Sequence, residues 1–317
     1  MPELPEVEYT ARQLRGVIVG ATIREALVFW ERTIAHPGLP DFLAEIADRR
    51  ILGIRRRGKF LVVDLSGKLI LTLHRRMTGN LLLVPPGWEI DESLKTTDPV
   101  AWNIKGPSFH WFSTKGAEGA ENTEGVINYA QSDFLYCRVC FNLADGRRLL
   151  FIDPRKFGRI GLWPSELKQE ALEGLGLEPL SDEFSVETLE QALARRKGAI
   201  KQVLLDQEVI AGLGNIYADE ALYYAGIHPL RRANSLTPAE TQRLHEGIVS
   251  VLTLGIEHGG TSFSEYRDLW GEAGDNYNHV HVYRQQGKPC ERCGTVIERI
   301  VVSQRSTHFC PGCQKLT

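Results

Sequence analysis

No stretch of this sequence is apolar over anything near the roughly 20 residues that span a bilayer, which excludes a chain that crosses a membrane by helices. The amino terminus is acidic and has no apolar signal region, so the expected location is the cytosol. Cysteine is scarce, with six in 317 residues and four of them near the end (Cys290, Cys293, Cys310, Cys313), a distribution that points to a metal and away from a disulfide framework. A positive total charge is also missing: 37 Lys and Arg face 40 Asp and Glu, a net −3. That total is uneven. Residues 86–133 hold eight acids and three bases, so the remainder is at +2, and from Arg284 onward six bases face two acids. Binding a phosphate backbone needs a positive face and not a positive sum, so nucleic acid stays open as a partner.

The pattern along the chain is α+β and multidomain, and 317 residues suffice for several cores. After a first helix with Val7, Ala11, Leu14 and Ile18 on one face, strands dominate to about Trp163. Phe60–Leu65 and Leu69–Leu73 join through Ser66-Gly67-Lys68, and 134–143 joins 148–152 through Ala144-Asp145-Gly146; both read as hairpins. We expect a β-sandwich flanked by helices over 1–163, interrupted at 85–132 by an insertion rich in Gly, Pro, Asn and acids. A linker is expected at 164–179, a helical domain at 180–284 and a metal module at 285–317. Thr237-Pro238-Ala239-Glu240 supplies N-cap, first-turn proline and capping-box glutamate for a helix running towards His258.

Cys290-x-x-Cys293 and Cys310-x-x-Cys313, sixteen residues apart, suit one tetrahedral Zn²⁺ with all four positions filled, hence a structural ion. Cys137 and Cys140 share the short spacing, but they lie in a strand-like run where residues three apart point to opposite faces, and they read as ordinary strand cysteines.

The chemistry-bearing stretch is the amino terminus, Met1-Pro2-Glu3-Leu4-Pro5-Glu6-Val7-Glu8. Removal of Met1 would leave Pro2 with a secondary amine of pKa about 7.7–8, nucleophilic near neutral pH. Attack on a sugar C1′ by such an amine gives an iminium ion. Glu3 stands beside it as a proton donor or acceptor, and Glu6 follows one helical turn on. The same prolines also suit a plain helix start, and residue type alone leaves both readings open. By residue type alone Met77 and Phe157 are core residues, Arg55-Arg56-Arg57-Gly58-Lys59 is a solvated basic run, and Arg305 is a solvated turn arginine. Gly212-Leu213-Gly214-Asn215 is either a helix-joining turn or a phosphate site at a helix start.

Pro2-Glu3-Leu4-Pro5-Glu6-Val7-Glu8 resembles the amino terminus of the formamidopyrimidine-DNA glycosylase and endonuclease VIII family of DNA repair enzymes. So do Gly58-Lys59-Phe60, Met77-Thr78-Gly79, Asp153-Pro154-Arg155-Lys156-Phe157, the segment Lys201 to Pro229 and the cysteine finger, in family order. Leu4 favours the bacterial formamidopyrimidine branch. The resemblance implies a helix-two-turn-helix domain, a zinc finger and a bifunctional DNA glycosylase and AP lyase. Its substrate would be oxidised purines in damaged double-stranded DNA, removed by a monomer working in the cytoplasm at the nucleoid. It further implies that Pro2 is the nucleophile, that Glu3 moves protons, and that Glu6 positions Pro2 or meets the base. Lys59, Asn215 and Arg305 would bind phosphates at the lesion. Met77, Arg155 and Phe157 would fill the gap left by an everted base, and the segment from Gly259 to Tyr283 would close over that base. Two departures bear on substrate: Arg76 stands where the family has Gly, and the 133–137 run replaces a histidine-rich strand entry. The same chemistry on oxidised pyrimidines, or a non-catalytic binder of damaged DNA, are the competing readings.

Overall fold

The structure is a computed structural model, and it describes residues 2–87, 110–112, 124–126, 136–263 and 265–316. Most of the expected insertion, and residues 133–135 of the altered strand entry, lie outside the described residues.

Helix α1 (Leu4–Ile18) opens the chain. It buries Val7, Ala11, Leu14 and Ile18 on the 3.6-residue stripe that the sequence marks. The strands are β1 (Thr22–Val28), β2 (Ile34–His36), β3 (Arg49–Arg57), β4 (Phe60–Leu65), β5 (Leu69–His74), β6 (Asn80–Val84), β7 (His110–Phe112), β8 (Glu124–Val126), β9 (Cys137–Leu143), β10 (Arg148–Ile152) and β11 (Arg159–Pro164). Nine of them run in the order β2-β11-β5-β4-β3-β1-β9-β10-β6. The two halves of this sheet meet where Thr22 and Ile23 of β1 pair with Arg50 and Arg49 of β3, beside hydrogen bonds from Gly20 N–H to Ile51 O and from Ile51 N–H to Ala21 O. Alternate residues of both halves share one core: Leu61 and Val63 of β4, Leu71 and Leu73 of β5, Val139 and Phe141 of β9, and Leu149 and Phe151 of β10, with α1 packed against them.

Cys137 and Cys140 are buried strand cysteines, but they occupy one satellite cluster with Leu82, Val84, Leu150 and Ile152, not opposite faces. A bulge causes this. Phe151 pairs with Val139 and Ile152 with Cys137, which leaves Arg138 as the extra residue and returns Cys137 to the face of Cys140.

The carboxy-terminal half is helical: Val186–Ala194, Ile200–Leu205, Asn215–Ala225 and Pro238–Glu257, followed by the hairpin β12 (Glu298–Val302) and β13 (Arg305–Phe309). Thr237 caps the long helix, accepting from Glu240 N–H while the Glu240 carboxylate reaches back to Thr237 N–H. The halves exchange residues. Leu4 of α1 is fully buried in the helical core, and Leu269 is fully buried in the sheet core, where its carbonyl accepts from Leu83 N–H.

Candidate active site

The amino terminus is fastened to the helical half. Leu4 N–H donates to the Gly212 carbonyl at 3.0 Å. The Glu3 carboxylate accepts from Ile216 N–H at 3.1 Å and Tyr217 N–H at 3.5 Å. Those N–H groups are two of the unsatisfied donors at the start of the Asn215–Ala225 helix, so an acid from the other end of the chain occupies the anion seat that the sequence offers to a phosphate. Gly214 is required by this approach, because a Cβ there would lie 2.2 Å from Glu3 Cδ. Glu3 is 3% exposed, and burial pushes its carboxyl up to about 7, with Glu6 adding to the rise and Lys59 opposing it. Glu6 is also buried. It accepts from Glu3 N–H (2.7 Å), the Tyr217 hydroxyl (2.7 Å) and Thr261 N–H (2.8 Å), and so locks the chain just after Pro2.

Lys59 is 6% exposed, not solvated, and burial pushes its ammonium below the usual lysine range against the pull of Glu3 and Glu6. Its turn is clamped from outside: Glu178 accepts from Gly58 N–H, Arg56 and Arg57, while Glu8 holds Arg56 and Asp64 holds Arg55. The basic run is thus spent on internal ion pairs. Arg305 is exposed at a hairpin tip whose Ser303 and Gln304 both have positive φ (48° and 61°), as a two-residue type I′ turn demands.

Pro2 opens into a cavity of about 110 Å³ bounded by Met77, Thr78, Asn80, Thr261, Tyr266 and Arg284 among others. The core reading of the two apolar candidates fails: Met77, on the cavity wall, is 38% exposed and Phe157 46%. Both stand on turns that project from the sandwich, and Arg155 lies with its guanidinium carbon 5.0 Å from the Phe157 ring centre. The two turns are tied by Asp153, which accepts from the Thr78 hydroxyl in a short hydrogen bond, from Arg155 N–H and from Gly158 N–H. Arg76 has φ +52°, a left-handed backbone that favours glycine, so its side chain departs outward while its backbone keeps the glycine-type turn.

In the finger, Cys290 and Cys313 sulfurs lie 3.8 Å apart, Cys293 and Cys310 3.4 Å, and Cys293 and Cys313 3.5 Å. Bonds of 2.3 Å to a tetrahedral Zn²⁺ place sulfurs about 3.8 Å apart, so the quartet fits one ion. Cys313 N–H donates to Cys310 Sγ and the Tyr223 hydroxyl lies 3.2 Å from Cys290 Sγ, the outer support expected of thiolate ligands.

Three profiles cover the chain: "Formamidopyrimidine-DNA glycosylase N-terminal domain" matches residues 1–160, "Formamidopyrimidine-DNA glycosylase H2TH domain" residues 175–267, and "Zinc finger found in FPG and IleRS" residues 287–316. The formamidopyrimidine-DNA glycosylase of Herpetosiphon aurantiacus is 40% identical over 99% of this chain and 100% of its own, and that of Enterococcus faecalis 39% over 100% and 98%. The chain belongs to the formamidopyrimidine-DNA glycosylase family. Solved structures of Lactococcus lactis Fpg agree. Its complex with abasic-site DNA has a TM-score of 0.79 at 30% identity, and its complex with an oxidised-pyrimidine DNA 0.78 at 30%, each matching 99% of this chain and all of that one. This is a family of base-excision repair glycosylases with AP lyase activity, and this member carries one structural zinc.

For a formamidopyrimidine-DNA glycosylase, three supports escape sequence reading. Glu178 holds the Lys59 turn. Asp153 and Thr78 hold the projecting turns. Lys201 and Asp219, both fully buried and 2.6 Å apart, hold the finger: Lys201 donates to Ser306 O and Thr307 Oγ1, and Asp219 accepts from His308 N–H. Asn215 joins them, its amide donating to Ser306 O at 2.9 Å. Each joins residues far apart in sequence, so no local spacing announces it. Among the described residues no helix is long and apolar enough to cross a membrane.

Proposed function

We propose that the cavity takes a damaged nucleoside everted from duplex DNA, and that Pro2, freed by removal of Met1, attacks its C1′ and displaces the base. Glu3 gives a proton to the ring oxygen as the sugar opens, and the amine loses its own proton to leave an iminium ion. Successive β- and δ-elimination then break the 3′ and 5′ C–O bonds. Glu6 positions Pro2. Lys59, Asn215 and Arg305 bind phosphates flanking the lesion, and Met77, Arg155 and Phe157 fill the vacated stack. Zinc holds the hairpin that carries Arg305 and takes no part in bond breaking. We keep the division into 1–163 with its insertion, linker 164–179, 180–284 and 285–317, and a cytoplasmic, nucleoid-associated site of work.

The observation that carries this is Glu3, a buried acid with its carboxyl at about 7 next to Pro2 on the cavity wall, because a general acid works best near the operating pH. Oxidised purines are the favoured substrate. The oxidised-pyrimidine complex of the Lactococcus lactis protein, beside its Fapy-dG complex, favours oxidised pyrimidines as the second reading. The test is borohydride trapping on a duplex bearing 8-oxoguanine opposite cytosine, read by intact mass. A covalent adduct at Pro2, absent in Pro2→Gly, is expected. An adduct only with an oxidised pyrimidine moves the substrate, and tight binding without any adduct after Met1 removal overturns the reading in favour of a binder.

A further inference from the structure

A cluster away from the cysteines is built from two segments. His258 caps the end of the Pro238–Glu257 helix; Asp275 precedes the short turn Asn276–His279, and His279 is that turn's last residue. Asp275 N–H donates to the His258 carbonyl at 2.8 Å, so the backbones are already joined. The two imidazoles stack with ring centres 3.7 Å apart, and His279 Nε2 lies 3.6 Å from Asp275 Oδ2. All three donor atoms fall within 4.8 Å of one another. The Asn278 amide donates to Asp275 Oδ1 at 2.6 Å and orients the carboxylate, as an outer partner of a ligand does. A shared ion requires the two rings to rotate out of their stack so that their in-plane lone pairs converge, and the Asp275 and His279 side chains, 60% and 38% exposed, have solvent to turn in.

We propose that His258, Asp275 and His279 form a second metal site, open to solvent, that takes one divalent transition-metal ion of the Zn²⁺, Co²⁺ or Ni²⁺ class. Two imidazoles and one carboxylate are the donor set of such ions, and water completes the shell. The ion staples the two ends of residues 259–275. Thr261, Phe263, Glu265 and Tyr266 of that stretch line the cavity, and Thr261 N–H holds Glu6. Asn276, next to Asp275, donates to the Thr261 hydroxyl at 2.8 Å. An ion at the base of this stretch therefore restrains the cavity wall without touching the cavity. That consequence for turnover rests on the cavity being the base pocket; the binding itself does not.

The experiment uses the full chain with its cysteine site filled by zinc, titrated with Ni²⁺ by calorimetry and with Co²⁺ by visible absorption. One further equivalent is expected, with the weak Co²⁺ bands of nitrogen and oxygen ligands and no sulfur charge-transfer band. His258→Ala and His279→Ala should each weaken it about tenfold or more, with zinc content still at one per chain; Asp275→Asn is the third variant should either fold poorly. Absence of a further equivalent, or a further equivalent indifferent to all three changes, overturns the site. Amide exchange of 259–275 should slow with Ni²⁺ in the parent and not in His279→Ala; equal exchange in both overturns the staple. Lower turnover on the lesion duplex with Ni²⁺, absent in His279→Ala, supports the coupling to the cavity, and unchanged turnover overturns it.

Discussion

The candidate site has two unlike borders. On one side Glu3, Glu6 and Lys59 are ionisable and nearly inaccessible, and the Glu3 and Glu6 carboxylates are held by donors from the helical half. On the other, Met77 and Phe157 are large, apolar and open to solvent, and what is fixed there is the backbone beneath them, through Asp153 and Thr78. The first border is finished before any ligand arrives, because a buried acid of raised pKa needs its environment in place. The second is left incomplete. Exposed apolar side chains on rigid turns gain their contacts only when something stacks on them. Replacements on the first border should therefore change rate, and those on the second should change binding.

The largest effect is expected from Glu3→Gln. Loss of a general acid should slow single-turnover strand cleavage, which follows sugar opening, by about 10²–10⁴-fold, with duplex affinity retained, and should abolish the limb of its pH–rate profile near 7. Stability supplies a second readout. The folded chain keeps a proton on Glu3 that the unfolded chain releases from pH 4.5 upward, so this group's contribution is present below 4.5 and is lost as pH rises through about 7. Glu3→Gln should thus raise Tm at pH 8 and leave it unchanged at pH 4. An unaltered rate would show that the buried border is structural only. Phe157→Ala should do the reverse: weaken lesion-duplex binding by about tenfold, the order of one stacked base, with Tm unchanged because the ring is half exposed. A fall in Tm comparable to a core truncation would erase the distinction between the borders. The smallest effect is Arg76→Gly. Relieving a left-handed arginine should stabilise by about 1–2 kcal/mol, measured by denaturant midpoint, and a change in lesion preference would assign the Arg76 side chain a role in substrate choice.

Local features were legible in the sequence. The cysteine quartet, the Thr237–Glu240 cap and the α1 stripe each depend on residues a few positions apart, and spacing alone predicts them. What escaped was whatever depends on residues meeting across the chain. The Arg56 and Arg57 charges read as solvated, because their partner Glu178 lies some 120 residues away. The hydrogen bond from the Asn215 amide to Ser306 O, 91 residues away, had no local signal either. Cys137 and Cys140 were assigned to opposite faces, because a bulge at Arg138 leaves no mark in composition. Met77 and Phe157 invert the usual rule for large apolar residues, and residue type alone gives the wrong answer for them. The resemblance to a family, not periodicity, placed them at the surface.

The attachment of Glu3 to the start of the Asn215–Ala225 helix orders events in time. Translation runs from the amino to the carboxy terminus, so Glu3 is made long before the donors that seat it, which lie 213 and 214 residues further on. Until then Glu3 is an ordinary solvated acid of pKa about 4.3, charged at neutral pH and unable to serve as a proton donor there. By the proposed mechanism the chain therefore withholds its chemistry from its own nascent form, and acquires it at the moment the two halves close on each other.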